Sequence, residues 1–286
     1  MTKYITTYDV FEETKSYADG FIIGIKDLTV NFSGIYEIEE AMTIIQKLKE
    51  EQKEVFVALN KNMHEEDLKC LEDTMKTLDS LNITGILYYD IALVTIKMEN
   101  QLKTPLVWAQ EHLTTNYMTC NYWHQFGADY AYLSGEITMD EIIEIKENTE
   151  LKVMVPIFGR LPMFVSKRHL VQNYLHYFNI KTDTENFQIE KEGKRYPIMD
   201  DKQGTVVFSS YYLNGLSESL ILKKHHIDYF YLNFNGVKKD WIPTIMKNYV
   251  EADDENKGEY EKVIDELLEG NTDKGFLYKE TVFKVK

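Results

Sequence analysis

Four residues suited to anion binding or proton transfer lie in one short stretch that follows an apolar segment of the sequence. They are Arg160, Ser166, Arg168 and His169, with Lys167 between them. Arginine presents a planar fork that matches a carboxylate or a phosphate, whereas lysine acts as a point charge. We therefore predict an anion site here, with Ser166 and His169 as hydrogen-bonding groups. The alternative is a solvated loop with an ordinary helix start at Ser166.

Two more candidates, His112 and Glu136, follow earlier apolar segments and join this site if those segments are neighbouring strands. An imidazole and a carboxylate can move protons or bind a metal ion. A metal held by His112 and His169 with Glu111 or Glu136 is one alternative, but no spaced metal motif supports it, and we predict no metal. The alternative role of Arg160 is a structural ion pair with Glu136. No residue is singled out as catalytic.

The sequence alternates short apolar stretches, which are predicted strands, with amphipathic helices, and the candidate residues follow the strands. Polar residues gather after each stretch, and parallel strands bring their carboxyl ends to one edge. The pattern predicts an α/β fold, a TIM-type (β/α) barrel. A doubly wound open sheet is the alternative, but the sequence lacks the glycine-rich nucleotide loops G-x-G-x-x-G and G-x-x-x-x-G-K-[ST]. The predicted strands are Lys3–Tyr8, Gly20–Ile25, Glu54–Leu59, Gly85–Tyr89, Pro105–Ala109, Ala128–Leu133, a seventh from Val153 to the turn at Gly159, and Asp228–Phe234.

The repeat is interrupted once and is followed by an extension. We assign residues 1–250 to the barrel, with an insertion near residues 180–205, and residues 251–286 to a C-terminal extension. Within the insertion, Asn186–Tyr196 alternates apolar and polar residues around Glu192-Gly193, which predicts a β-hairpin. Tyr196–Gly204 is predicted to be a polar connection. In the extension, Glu259–Leu268 is a predicted helix and Gly275–Val285 a predicted extended tail.

The overall charge restricts the class of partner. The chain of 286 residues carries a formal net charge of −15, which repels nucleic-acid backbones. A nucleic-acid role therefore requires a local basic patch or a basic partner protein, and Tyr211-Tyr212 is the aromatic pair that we predict for base stacking. The sequence shows no apolar run of membrane-spanning length and no signal-peptide pattern, so we expect a cytoplasmic protein without membrane contact.

Two cysteines, Cys70 and Cys120, limit the redox and metal chemistry of the chain. Both lie in helical patterns, and we predict free, partly buried thiols. Two thiols cannot build a disulfide framework, and they cannot supply the four thiolates of an iron–sulfur cluster. No H-E-x-x-H, G-x-S-x-G or C-x-x-C motif is present, so the sequence contains no motif of a metalloprotease, serine hydrolase or thiol-redox protein.

Four blocks of the sequence, in this order, resemble the collagenase-like peptidase U-32 family. The resemblance covers most of the chain and implies a TIM-type barrel. The blocks are WAQEHLTTNYMTCNYWHQFGADYAYLSGEITMDEIIEI (Trp108–Ile145), VMVPIFGRLPMFVSKR (Val153–Arg168), YLNFNGVKKDWIPTIMKNYVEA (Tyr231–Ala252) and TDKGFLYKE (Thr272–Glu280).

The chain lacks cysteines that many members of this family carry, and this difference indicates which members it resembles. Many members carry cysteines after the glycine turn and again downstream, and some of these cysteines bind an iron–sulfur cluster. At the corresponding places this chain has Leu161–Met163 and Lys167–His169. The resemblance is to short, cysteine-poor members. It implies a subunit of a prephenate-dependent system that hydroxylates the wobble uridine of tRNA. The implied partner is a longer, cysteine-containing paralogue that contacts tRNA, with no iron–sulfur cluster on this chain and prephenate as a candidate co-substrate. The alternatives are a collagenase-like protease and a non-enzymatic binding scaffold.

Overall fold

The computed structural model describes residues 1–110, 112–184, 186–201 and 204–279. Glu111 and the end of the predicted tail, residues 280–286, lie outside these ranges. Within them the strands are β1 (Lys3–Thr7), β2 (Gly20–Ile25), β3 (Ile35–Tyr36), β4 (Glu54–Leu59), β5 (Gly85–Tyr88), β6 (Leu106–Trp108), β7 (Ala128–Tyr132), β8 (Lys152–Gly159), β9 (Pro162–Ser166), β10 (Phe187–Lys191), β11 (Lys194–Asp201), β12 (Gly204–Phe208), β13 (Tyr212–Asn214), β14 (Tyr229–Leu232) and β15 (Thr272–Asp273).

Helices follow most barrel strands and pack around them. The α-helices of the same ranges are α1 (Phe11–Thr14), α2 (Ile38–Glu50), α3 (Leu68–Ser80), α4 (Ala92–Glu99), α5 (Tyr117–Gln125), α6 (Met139–Asn148), α7 (Leu170–Tyr177), α8 (Leu216–Lys224), α9 (Ile242–Glu251) and α10 (Lys257–Leu267). Among the described helices, none is both long and apolar enough to cross a membrane.

Eight parallel strands close into a barrel, which confirms the predicted TIM-type fold. The closing strand is β14, which pairs with β1 on one side and with β8 on the other. Strand β2 is buried along its whole length, because a strand of a closed parallel barrel faces the interior on one side and the helices on the other. This is why the strands are visible in the sequence as nearly continuous apolar runs.

The barrel interior is packed with large side chains rather than open. Phe56 makes edge-on contacts with the rings of Tyr130 and Tyr229, at centroid distances of 5.8 and 5.6 Å. Tyr132 and Tyr231 lie nearer the mouth and belong to the same buried cluster. A second apolar layer fills the space between strands and helices. Within the described ranges the packed interior holds no site, and the carboxyl end of the barrel, here called the barrel mouth, is where folds of this kind place one.

An antiparallel sheet of four strands, here called the inserted sheet, branches from the barrel after β8. Its order is β10-β11-β12-β9, and α7 packs on β11 and β12. The predicted hairpin exists as β10 and β11, but it is only half of this sheet. The predicted polar connection Tyr196–Gly204 was wrong, because most of it is strand β11. The stretch expected to be a basic loop forms β9 at its start, and the helix begins at Leu170 rather than Ser166.

The C-terminal segment is held against the barrel by charge. The Lys274 ammonium contacts buried Glu218 at 2.7 Å and also bonds Glu261, and the Tyr278 hydroxyl donates to Glu218 at 3.0 Å. Residues 275–278 form turns instead of the predicted extended tail. Since an unpaired buried carboxylate is costly, these bonds explain why the segment lies on α8.

Candidate functional site

The inserted sheet covers one side of the barrel mouth. A cavity of about 70 Å³ is lined by Asn60 and Tyr89, which follow barrel strands, and by Val165 and Val206 of the inserted sheet. Because both parts line the same cavity, the inserted sheet and the mouth form one cleft. Clefts at this end of a barrel are where such folds place their sites.

Asparagine amides shape this part of the cleft. Asn60 is buried and clamps the loop after β2, since its side-chain oxygen accepts from the Val30 N–H at 3.1 Å and its nitrogen donates to the Val30 carbonyl at 3.0 Å. The side-chain nitrogen of Asn31 lines the same cavity and has no hydrogen-bond partner among the described residues. A buried donor without a partner is unfavourable, so this amide is suited to meet a ligand oxygen.

His112 and Glu136 come together at the mouth. The His112 Nδ1 and a Glu136 carboxylate oxygen lie 3.9 Å apart. Both residues line a cavity of about 1130 Å³ that extends to Leu277 and Tyr278. An imidazole and a carboxylate this close to each other can exchange protons with a molecule bound beside them in this cavity. This pair is the part of the predicted site with acid–base capacity.

The turn after β8 fixes the position of Arg160. Gly159 adopts a φ of +110°, and a Cβ at this position would lie 2.1 Å from the backbone oxygen of Asn233. Only glycine fits such an approach. The Arg160 guanidinium donates to the Ser209 carbonyl at 2.6 Å and lies 4.2 Å from the centre of the Tyr212 ring. Both contacts hold the guanidinium in one orientation.

Arg160 lies on a groove with two further cations. This basic groove, of about 480 Å³, is lined by Arg160, by Lys194 and Arg195 of the β10–β11 hairpin, by Tyr211 and by one carboxylate, that of Asp273. Burial raises the pKa of the Tyr211 phenol, and nearby Asp273 and Glu136 raise it further. The phenol is therefore a neutral hydrogen-bond donor at physiological pH. Three cations and a neutral donor around one groove suit a carboxylate or phosphate ligand.

The other predicted anion-site residues lie on the inserted sheet, away from the basic groove. Ser166 ends β9 and accepts a hydrogen bond from the Arg168 backbone N–H at 3.1 Å. His169 lies 3.3 Å from the buried carboxylate of Asp200, which also accepts from the backbone amides of Val171 and Gln172. Arg168 is exposed at the start of the same helix. The predicted cluster is thus split into a mouth group and an inserted-sheet group.

A metal centre is not formed by the described residues. Within residues 1–110, 112–184, 186–201 and 204–279, no group of three or more histidine, cysteine, aspartate or glutamate side chains can hold a metal ion. His112 lies with Glu136 and His169 with Asp200, so the two histidines have different partners. The alternative that used Glu111 lies outside the described residues.

Sequence reasoning missed Lys194, Arg195 and Asp200. The two cations lie more than thirty positions beyond Arg160, and only the folding of the hairpin brings them to the groove. The predicted stacking pair is also divided, because Tyr212 is buried under the Arg160 guanidinium while Tyr211 lines the groove. The Glu192-Gly193 turn was the available signal, since it placed Lys194 and Arg195 at the tip of a hairpin.

Comparison with known proteins supplies a family and relatives. The family model of peptidase family U32 matches residues 12–284. The tRNA hydroxylation protein P2 of Bacillus subtilis is 30% identical over 300 residues, which cover 97% of this chain and 96% of that protein. The tRNA hydroxylation protein P1 of the same organism is 24% identical over 53% of this chain, and the match spans only 35% of P1.

A solved structure supports the fold alone. The U32 peptidase Mk0906 superposes with a TM-score of 0.52 at 12% sequence identity, and the match covers 82% of this chain and 92% of that one.

Proposed function

The chain belongs to peptidase family U32, as its sequence predicted, and we propose that it is a subunit of a system that hydroxylates the wobble uridine of tRNA. One observation carries the proposal: the similarity to tRNA hydroxylation protein P2 extends over 97% of this chain and 96% of that protein. Similarity over nearly both full lengths means that the barrel, the inserted sheet and the C-terminal segment all have counterparts in that relative.

The cleft at the barrel mouth is the proposed site of this subunit. Arg160 binds an anionic group in the basic groove, either a carboxylate of the co-substrate prephenate or a phosphate of tRNA. Glu136 and His112 line a separate cavity. Arg168, Ser166 and His169 contribute from the inserted sheet as further anion-binding and hydrogen-bonding groups. The fixed orientation of the Arg160 guanidinium supports this role, because a preorganised fork loses little freedom on binding.

The proposed partner is a longer, cysteine-containing paralogue, which would supply any iron–sulfur chemistry. P1 of Bacillus subtilis matches half of this chain over about a third of its own length, so a longer relative shares part of this sequence. The two cysteines of this chain cannot ligate a cluster alone. In such a system, tRNA is held by both subunits and the redox step takes place on the partner.

Proteolysis by a cysteine nucleophile has little physical support here. Cys120 is fully buried, and burial raises the pKa of its thiol to about 12, so the reactive thiolate is not formed near neutral pH. Cys70 is exposed on α3 and lines none of the cavities described above. Neither cysteine therefore supports the peptidase alternative.

Deleting the gene tests the function. In total tRNA digested to nucleosides, mass spectrometry should show loss of 5-hydroxyuridine derivatives, and a plasmid copy should restore them. Unchanged levels in the deletion strain would contradict the proposal.

A substitution separates the anion role of Arg160 from a structural role. Arg160→Ala should leave the thermal midpoint nearly unchanged but lower the hydroxylation level in the complemented strain. Lys262→Ala, an exposed change on α10, is the control. A large fall in thermal midpoint, or full hydroxylation, would assign Arg160 a purely structural role.

A further inference from the structure

Three aromatic rings on α7 and at its C-terminal end form an exposed cluster, here called the aromatic stripe. Tyr174, Tyr177 and Phe178 lie at helical spacings of three and four residues, so they share one side of the helix. Their exposed fractions are 57%, 82% and 56%. The ring centroids of Tyr174 and Phe178 lie 4.8 Å apart, and those of Tyr177 and Phe178 lie 4.9 Å apart. Single exposed aromatics are common, but a contiguous exposed cluster marks an interaction surface.

The charge around the aromatic stripe is opposite to that of the rest of the chain. Between Lys167 and Thr182 the sequence holds Lys167, Arg168 and Lys181, two histidines and no aspartate or glutamate, and the first acidic residue after this segment is the exposed Asp183. The nearest acidic side chain in contact is Asp200, which is buried beneath the start of α7 and bonded to its amides. Outside residues 160–210, the chain has 41 acidic residues against 24 lysines and arginines.

Aromatic faces combined with cations are the chemistry that recognises unpaired bases and their phosphates. Bases that are not in a duplex can stack on tyrosine or phenylalanine, while lysine and arginine track the backbone. A strongly acidic surface repels RNA, so contact is favoured only where acidic residues are missing. On this charge complementarity we propose that the aromatic stripe, with Arg168 and Lys181 at its two ends, binds an unpaired RNA loop. The proposal rests on the tRNA role above and identifies a direct RNA contact on this chain.

The occupant is RNA rather than a partner protein because of this combination of rings and charge. A protein interface of this kind needs an apolar partner surface with an acidic rim, whereas an anticodon loop offers bases and phosphates together. Lys167 is already bonded to the Asn62 carbonyl at 3.1 Å and lies 3.1 Å from His64. Arg168 and Lys181 are therefore the cations left for phosphates.

Fluorescence anisotropy on the full-length chain tests the proposal with two labelled probes. One is a tRNA anticodon stem-loop, and the other is a blunt RNA duplex of equal length. The chain should bind the stem-loop more tightly. Tyr177→Ala and Tyr174→Ala should each raise the Kd for the stem-loop about 5- to 50-fold and leave duplex binding unchanged. Tyr122→Ala, a 54% exposed tyrosine on α5, is the matched control and should change nothing.

The cations give a second readout. Arg168→Ala or Lys181→Ala should reduce the salt dependence of binding, with the slope of log K against log salt falling by about 0.7 for each phosphate that is no longer neutralised. Lys262→Ala on α10 is the control.

Three results would overturn the proposal: equal affinity for both probes, no measurable RNA binding, or unchanged affinity in Tyr177→Ala. Loss of co-purification with the longer paralogue, combined with intact RNA binding, would instead assign the aromatic stripe to a protein interface. These outcomes are independent of the deletion experiment, because a chain needed for hydroxylation can still fail to bind RNA through this surface.

Discussion

The barrel and the inserted sheet differ in burial and in charge. Strand β2 of the barrel is buried at every position, whereas β9 and β10 of the inserted sheet are mostly exposed. Residues 160–210 carry eight lysines and arginines against six acidic residues, while the remainder carries 24 against 41. Strand β12 of the inserted sheet is largely buried, so the sheet joins the core through that strand. Its strands β9 and β10 lie open to solvent, in a region that does not share the overall acidity. We propose that the barrel supplies most of the stability and that the inserted sheet contributes to recognition of an anion.

The largest expected effect is a loss of folding stability that occurs when a side chain is truncated in the barrel but not when one is truncated on β9 of the inserted sheet. Phe56→Ala removes a ring packed between Tyr130 and Tyr229 in the barrel interior and should lower the free energy of unfolding by about 3–5 kcal/mol. Phe164→Ala on β9 removes a half-exposed ring and should change it by less than about 0.5 kcal/mol. Chemical denaturation followed by circular dichroism measures both. Equal losses would mean that the inserted sheet is part of the folding core.

A smaller loss of stability, confined to the inserted sheet and α7, is expected when Asp200 is replaced. The buried Asp200 carboxylate accepts from the backbone amides of Val171 and Gln172 at 2.8 and 3.2 Å. Asp200→Ala should therefore lower the free energy of opening α7 by about 1–3 kcal/mol, because hydrogen bonds to a charged group are removed. Hydrogen exchange should show faster exchange in α7 and unchanged protection in β2. Asp200→Asn retains a hydrogen-bond acceptor and should lower the free energy of opening α7 by less. Unchanged exchange in both variants would show that Asp200 does not stabilise the start of α7.

The smallest effect concerns thiol reactivity and leaves stability unchanged. Burial raises the pKa of the Cys120 thiol to about 12, so at pH 8 it stays protonated in the folded barrel and does not react as a thiolate. Cys70 is exposed on α3. Titration with a disulfide reagent at pH 8 should modify one thiol rapidly and the second only in denaturant. Rapid modification of both would show that the layer between strands and helices admits solvent. The sequence-based prediction of free thiols is confirmed, but the predicted partial burial was wrong, since Cys70 is exposed and Cys120 is buried.

The sequence predicted those parts of the fold in which buried residues follow one another along the chain as an apolar run. Barrel strands such as Gly20–Ile25 are apolar on both faces, and His112 and Glu136 each follow such a strand, so their meeting at the mouth was predictable. Strand β11 was missed because it ends in the polar pair Asp200-Asp201 and is only partly buried. The basic groove was missed because the Glu192-Gly193 turn predicts a hairpin with Arg195 at its tip but does not show that this hairpin lies beside Arg160.

The hydroxylation level of wobble uridine in complemented deletion strains tests the division between barrel and inserted sheet most directly. Lys194→Ala/Arg195→Ala removes two exposed cations of the basic groove, and Lys247→Ala/Lys262→Ala removes two exposed cations from α9 and α10. At equal protein levels, wild type and the second variant should restore 5-hydroxyuridine derivatives. The groove variant should restore about a tenth or less, since two charge-assisted hydrogen bonds to the anion are removed. Full restoration by the groove variant would contradict the assignment of recognition to the inserted sheet.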